Sequence, residues 1–240
     1  KAVAADEIEE CPRCGKPLAL CICDTVEKVD NEVEVLILQH PQEQDKLLGT
    51  ARLAAVALAK ATSRVGLSWP SLAKALGRPA DPSRWAILYL GGSEENEGAK
   101  KREVTLVGRK GETIGDQGKT LAGLEGIIVL DGTWSQAKTL WWRNPWVLKA
   151  RRLILNPAKP SLYGKLRNEP RKEGLSTIES AGFALARIEG RPEIEAALDD
   201  IFARMLYRYR SEVADRRKAA RAGDAGSEPD AGETAADEGE

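Results

Sequence analysis

The stretch GIIVLDGTWSQAKTLWWRNPWVLKARR, residues 126–152, sets an apolar run against a turn, a helix start and a basic run. The apolar residues 127–130 predict a buried strand, and Asp131 ends it. Gly132 permits a sharp turn, and Thr133 to Gln136 has the T-x-x-Q form of a capping box with Thr133 as N-cap. A strand running straight into a helix is the building unit of an α/β domain with a largely parallel sheet. In such sheets ligands lie at the carboxyl ends of the strands. Capping accounts for Thr133 and Gln136. It does not account for Asp131, whose carboxylate sits on the rim with no evident pairing partner in sequence.

Working outward, strand patterns recur at 32–39 (EVEVLILQ), 84–91 (RWAILYLG), 103–108 (EVTLVG) and 151–156 (RRLILN). Helical patterns fall at 133–142, 176–188 and 192–210, with a long helix expected through HPQEQDKLLGTARLAAVALAKA from its apolar residues 47, 48, 53, 56 and 58. Residues 91–103 read as an exposed loop. From Ser211 the chain turns charged and then Ala/Gly/Asp/Glu-rich, predicting a disordered tail over 211–240. Ser176 to Glu179 is a second capping box, so two helix N-termini, each suited to an anion, and the turn Leu155-Asn156-Pro157 frame the same rim as Asp131. His40, the only histidine, falls where strand meets helix and reads as site-lining at most.

All four cysteines fall in CPRCGKPLALCIC, at Cys11, Cys14, Cys21 and Cys23. Clustering of this kind, in a sequence that begins without a secretion pattern, favours a metal over disulfides. Four thiolates make a closed zinc site, structural because no ligand position stays open. Redox use of the first pair is the competing reading, but it needs no second pair. The segments expected are thus a flexible 1–10, a zinc knuckle over 11–26 and an α/β domain over 30–210.

The formal net charge of -1 conceals an asymmetry. Residues 11–222 carry 35 Lys and Arg against 26 Asp and Glu, and 138–172 holds ten basic residues with Glu169 the lone acid. That excess suits a polyanion, with Arg143, Lys149, Arg151, Arg152, Lys159, Lys165, Arg167, Arg171 and Lys172 as candidate phosphate contacts. Four of the six tryptophans lie between Trp134 and Trp146. Core packing is the reading for most of them, with base stacking the alternative for Trp142 and Trp146; only Trp134, beside the turn, is assigned to the site. No apolar run is long enough to span a bilayer, so no membrane association is expected and the cytoplasm is the expected compartment. Phosphate-cradle glycine motifs and G-x-S-x-G are absent from the sequence.

The cysteine spacing, HPQE after the first strand, LDGTWSQAK, and SLYGKLRNEPRKEGLSTIES, in that order, resemble the DTW-domain proteins, the tRNA-uridine aminocarboxypropyltransferases. The resemblance implies a SPOUT-like knotted fold and transfer of the 3-amino-3-carboxypropyl group of S-adenosylmethionine to N3 of a tRNA uridine. It makes Asp131, Thr133 and Trp134 the catalytic candidates. Leu130, Gly132, Leu155, Asn156, Pro157, Leu175, Ser176, Thr177 and Glu179 become the cofactor-binding candidates, and tRNA the partner, with no obligate protein partner. A SPOUT-type RNA methyltransferase and a non-catalytic zinc-ribbon RNA-binding protein are the rivals.

Overall fold

A computed structural model describes residues 9–89, 102–108, 112, 114–166 and 174–224. Six strands, β1 (Glu34–Gln39), β2 (Ala61–Val65), β3 (Trp85–Tyr89), β4 (Val104–Val107), β5 (Gly126–Asp131) and β6 (Arg151–Leu155), form one sheet in the order β2-β1-β5-β3-β6-β4. All neighbouring pairs are parallel except β4 with β6, which is antiparallel and closes one edge. Among the described residues six α-helices accompany it: α1 (Ala51–Ala57), α2 (Leu72–Leu76), α3 (Gln117–Ala122), α4 (Trp134–Arg143), α5 (Thr177–Glu189) and α6 (Pro192–Asp224).

The central strands are apolar on both faces because helices cover both. Val35 and Ile37 of β1, Ile127 and Val129 of β5 and Ala86 of β3 face one core, built with α1, α5 and α6. The alternate residues Leu36, Leu38, Ile128, Trp85 and Ile87 face a second core with Leu72, Leu76, Trp146 and Val147. A one-residue slip of any strand would exchange these sets, so the register is fixed by burial. In α5 every residue from Ile178 to Ala186 is buried, which fits a helix packed between the sheet side and α6 rather than one lying on a surface.

The cysteine segment docks on this body. Lys16 is buried, and its ammonium donates to the carbonyls of Leu47 at 2.6 Å and Gly49 at 2.8 Å. Arg208 and Arg204 of α6 donate to the carbonyls of Ala19 and Thr25. Glu9 and Glu10, assigned by sequence to a flexible terminus, pair with the segment: Leu18 N donates to Glu9 O at 3.0 Å and Glu10 bridges Pro17. Residues 1–8 lie outside the described residues.

Several elements differ from the sequence reading. The long helix expected after His40 is a 3-10 turn, Pro41–Glu43, then a loop, then the short α1. The Leu47 and Gly49 carbonyls bond to Lys16 instead of continuing a helix, and Gly49 weakens helix at that point. The helical pattern is read as running to Ala61, where β2 in fact begins, on the outer side of β1, with a half-buried rather than apolar pattern. The short α2 and α3 were not expected. The last helix passes residue 210, where a disordered tail is expected, and ends at Asp224. Residues 211–222 contain neither Gly nor Pro and are rich in Ala and Arg, good helix formers, and Glu212 pairs with Arg216 one turn on. The rest of the tail, 225–240, lies outside the described residues, as do residues 91–101 of the expected loop.

Candidate active site

Parallel pairing brings the ends of β1 and β5 level, with Gln39 opposite Asp131. Gln39 Nε2 donates to Asp131 Oδ2 at 2.9 Å, and the Thr177 hydroxyl donates to Oδ1. The His40 N–H donates to the Asp131 carbonyl at 2.9 Å, so the backbone of the same residue is also held. Asp131 is half-buried, and Gln39 is buried with its Oε1 carrying no hydrogen-bond partner among the described residues. That oxygen has no accessible surface, so the amide serves to hold Asp131 and does not itself face a ligand.

The turn after Asp131 is tight. A Cβ on Gly132 would lie 2.8 Å from Cβ of Gln136, so only glycine fits before α4. Both capping boxes form. The Thr133 hydroxyl accepts from Gln136 N at 3.4 Å while Gln136 Oε1 accepts from Thr133 N at 2.6 Å. Gln136 Nε2 then donates to Gln42 Oε1 at 3.2 Å, tying α4 to the turn after β1. His40 caps that turn, its Nδ1 accepting from Gln42 N at 3.3 Å.

At α5 the Ser176 hydroxyl accepts from Glu179 N at 3.3 Å, and Glu179 Oε2 accepts from Ser176 N at 2.8 Å. Glu179 is placed by sequence in the cofactor site, but the structure occupies its buried carboxylate internally. It also takes the Ser161 hydroxyl at 2.6 Å and Leu162 N at 2.7 Å, fixing the 161–163 loop over the helix start. Thr50, which sequence reasoning passed over, accepts from Ile178 N at 3.3 Å. Leu155 and Leu175 pack against the first core and Leu130 against the second, so their side chains serve burial. Asn156 reaches the rim, and its side-chain amide donates to Arg102 O at 2.9 Å. Pro157 is half-buried beside it. Gln39 is the residue sequence reasoning missed; the available signal was an amide ending an otherwise apolar strand.

The four cysteine sulfurs lie within 4.8 Å of one another, and Cys14 and Cys21 sulfurs are 3.8 Å apart. A tetrahedral ion with bonds of about 2.3 Å places sulfurs about 3.8 Å apart, so the donor set suits zinc. Burial pushes the Cys14 and Cys23 thiols up, and neighbouring sulfur charge adds to it at Cys23. Cys11 is brought to about 7, because N–H donors from Cys14 and Arg13 outweigh its burial. A divalent cation relieves such thiolate repulsion. Burial likewise draws Lys16 down to about 8, against the pull of the Cys14, Cys23 and Asp131 charges.

Among the described residues the basic segment divides between exposed and half-buried positions. Arg143, Lys149 and Lys159 are exposed. Arg151 and Arg152 begin β6, paired with Ala86 and Ile87, well below the rim, and are half-buried; the Arg152 guanidinium lies 5.5 Å from the Trp141 ring. The side chain of Lys165, and Arg167, Arg171 and Lys172, lie outside the described residues. Among the tryptophans, Trp146 is buried with Nε1 donating to Trp69 O, but Trp142 is 78% exposed. Its distance of two residues from the buried Leu140 puts it about 160° around the helix, on the solvent side.

An α/β sheet carrying a rim aspartate in an Asp-Gly-Thr-Trp turn, with a four-thiolate segment docked beside it, defines the class, and the chain belongs to the DTW domain family, whose sequence model matches residues 8–210. It is 28% identical over 199 residues to tRNA-uridine aminocarboxypropyltransferase 2 of Macaca fascicularis, covering 79% of this chain and 59% of that protein. The proteins of the same name from Drosophila melanogaster and Mus musculus are 28% and 29% identical, over 79% and 81% of this chain and 70% and 61% of theirs. The chain therefore spans about three fifths of two of these relatives. No solved structure matches it.

Proposed function

We propose that the chain transfers the 3-amino-3-carboxypropyl group of S-adenosylmethionine to N3 of a uridine in tRNA, releasing methylthioadenosine. The observation that carries the proposal is the Asp131 carboxylate, held at the carboxyl rim by Gln39 and Thr177 between two capped helix N-termini, within the family's own motif. Support for the substrates comes from the relatives' names and the local basic excess. The proposal includes a SPOUT-like knotted path for residues 30–210, a zinc knuckle over 11–26 and action in the cytoplasm.

Uridine N3 carries a proton and is a poor nucleophile while it does. Asp131 accepts that proton as general base. The N3 electron pair then forms the bond to the γ-carbon of the methionyl arm, the carbon–sulfur bond breaks, and its pair stays on sulfur as neutral thioether. The sulfonium is already activated, so the protein chiefly selects which carbon meets N3, a matter of near-attack geometry. Trp134, 46% exposed beside the turn, packs over the methyl side. The start of α5, whose Ile178 and Glu179 N–H groups are already taken by Thr50 and Ser176, draws the methionyl carboxylate toward Thr177 by the positive end of its dipole. Thr177 orients Asp131 rather than touching substrate. Zinc, when bound, supplies charge neutralisation and structure.

The experiment is nucleoside mass spectrometry of tRNA treated with the protein and S-adenosylmethionine. A gain of an aminocarboxypropyl group with methylthioadenosine supports the reading; a methyl gain with S-adenosylhomocysteine replaces it with a methyltransferase. Intact tRNA binding without S-adenosylmethionine binding by calorimetry leaves a non-catalytic RNA-binding protein. Asp131→Asn is expected to lower turnover by about 10²–10⁴ with both ligands still bound.

A further inference from the structure

Position 142 holds the chain's most exposed tryptophan, and among the described residues none packs over it. Trp142 is 78% exposed, whereas Trp146 and Trp85 are buried and Trp141 is half-buried. It sits on the solvent side of α4 in an i, i+4, i+8 line with Trp134 and Lys138. Lys138 Nζ lies 5.6 Å from the Trp134 ring, so the first two members of the line are already in contact. The line begins at the Asp131 turn and runs away from it. Eight residues at about 1.5 Å each carry it about 12 Å from Trp134 to Trp142.

We propose that Trp142 is a stacking platform for a base of the RNA substrate, flanking the nucleotide that enters at Asp131. Resting on the aminocarboxypropyl-transfer reading for its substrate, the inference adds a residue and a spacing. An exposed indole offers an apolar face that accepts any base, and such stacking tolerates sequence. The charge around it chooses the occupant. Lys138, Arg143 and Lys149 are exposed along the same segment, and residues 132–168 contain no Asp or Glu. A second copy presenting the same patch would meet like charge, whereas a nucleic acid brings phosphates to the basic residues and bases to the indole. Stacked nucleotides advance about 3.4 Å each, so 12 Å corresponds to three or four. Trp142 therefore stacks on a base about three or four positions from the modified uridine, whatever that base is.

The test compares wild type, Trp142→Ala and Trp142→Phe by tRNA binding, by KM and kcat for transfer, and by sedimentation. Trp142→Ala is expected to weaken tRNA binding and raise KM for tRNA about five- to hundredfold. Trp142→Phe keeps most of the affinity, and kcat at saturating tRNA, S-adenosylmethionine binding and the melting temperature stay at wild-type values. Trp142 fluorescence, read as the difference between wild type and Trp142→Phe, is quenched by tRNA. Unchanged tRNA affinity in Trp142→Ala, wild type that does not bind tRNA, or a wild-type dimer that the substitution turns into monomer would each overturn the proposal. Binding is read without S-adenosylmethionine, so a methylated product with Trp142-dependent binding would remove the transfer reading and leave the stacking site standing.

Discussion

Thr177 and Asp131, 46 positions apart in sequence, are joined by a hydrogen bond from the threonine hydroxyl to the carboxylate. With Gln39 holding the second oxygen, the carboxylate is fixed on both sides before any substrate arrives. For the general-base role proposed for it, that is preorganisation: the group would need no reorientation at the moment of proton transfer.

Thr177→Val removes the hydroxyl and keeps the shape. Misplacing a reacting group by an ångström costs about 10² in rate, so kcat is expected to fall ten- to hundredfold, with Thr177→Ser near wild type. Steady-state kinetics with both variants checks this. Equal activity of Val and wild type would show that Gln39 alone orients Asp131.

A chain of contacts leads from the cysteines to the same helix start. Lys16 holds the Leu47 and Gly49 carbonyls, Tyr163 donates to the Leu48 carbonyl at 2.5 Å, and Thr50 accepts from Ile178 N. Metal chelation is therefore expected to lower both the melting temperature and kcat. Lys16→Met keeps all four ligands and loses two charge-assisted bonds, which points to a loss of about 1.5–3 kcal/mol with metal content unchanged. Metal analysis beside thermal melts separates the two. Unaltered stability after complete metal removal would show that the segment folds without the ion.

The sequence made the strand-turn-helix at Asp131 legible because three local signals agree there: an apolar run, a turn glycine and a capping box. Both capping boxes and the cysteine cluster were read the same way, from spacing alone. The order β2-β1-β5-β3-β6-β4 was not, since which strands pair depends on long-range burial. Gln39 was missed for that reason, because its importance comes from facing Asp131 across two paired strands. Spacings of seven and eight from Trp134 suggest one shared face for Trp141 and Trp142, with stacking the alternative for Trp142, yet 100° of helix separates the two and only Trp142 is exposed. The resemblance places Glu179 among the cofactor candidates and its spacing gives it the cap, while its further partners, Ser161 and Leu162, approach only in the folded chain.

Burial, then the charges of Glu195 and Glu179, pushes Asp199 up to about 6 despite Lys159 and Arg187. In the unfolded chain an aspartate titrates near about 3.9. Between about pH 4 and 6 the folded protein therefore binds more protons than the unfolded one, and stability falls as pH rises through that window. Asp199→Asn is expected to melt above wild type at pH 7.5, with the gap closing at pH 4. The carboxylate keeps some contact with solvent, which screens it, so the gap is small. Equal gaps at both pH values would assign the gain to something other than charge.

Gly126 opens β5 opposite Trp85, the largest fully buried side chain. A Cβ at Gly126 would come within 2.4 Å of the indole ring. The Trp85 Nε1 is buried with no hydrogen-bond partner among the described residues, so the ring is held by packing, with Leu36, Ile87, Ile128 and Trp146 in the same core. Gly126→Ala forces that ring aside, and overpacking of this kind costs about 1–3 kcal/mol. The site lies at the other end of β5, about 17 Å along the strand, so tRNA and S-adenosylmethionine affinities should not change. Combining Gly126→Ala with Trp85→Leu is expected to cost less than the two single losses summed, because the smaller side chain makes room for the methyl group. Strictly additive losses in thermal or denaturant melts would show that the glycine is there for backbone freedom and not for the indole.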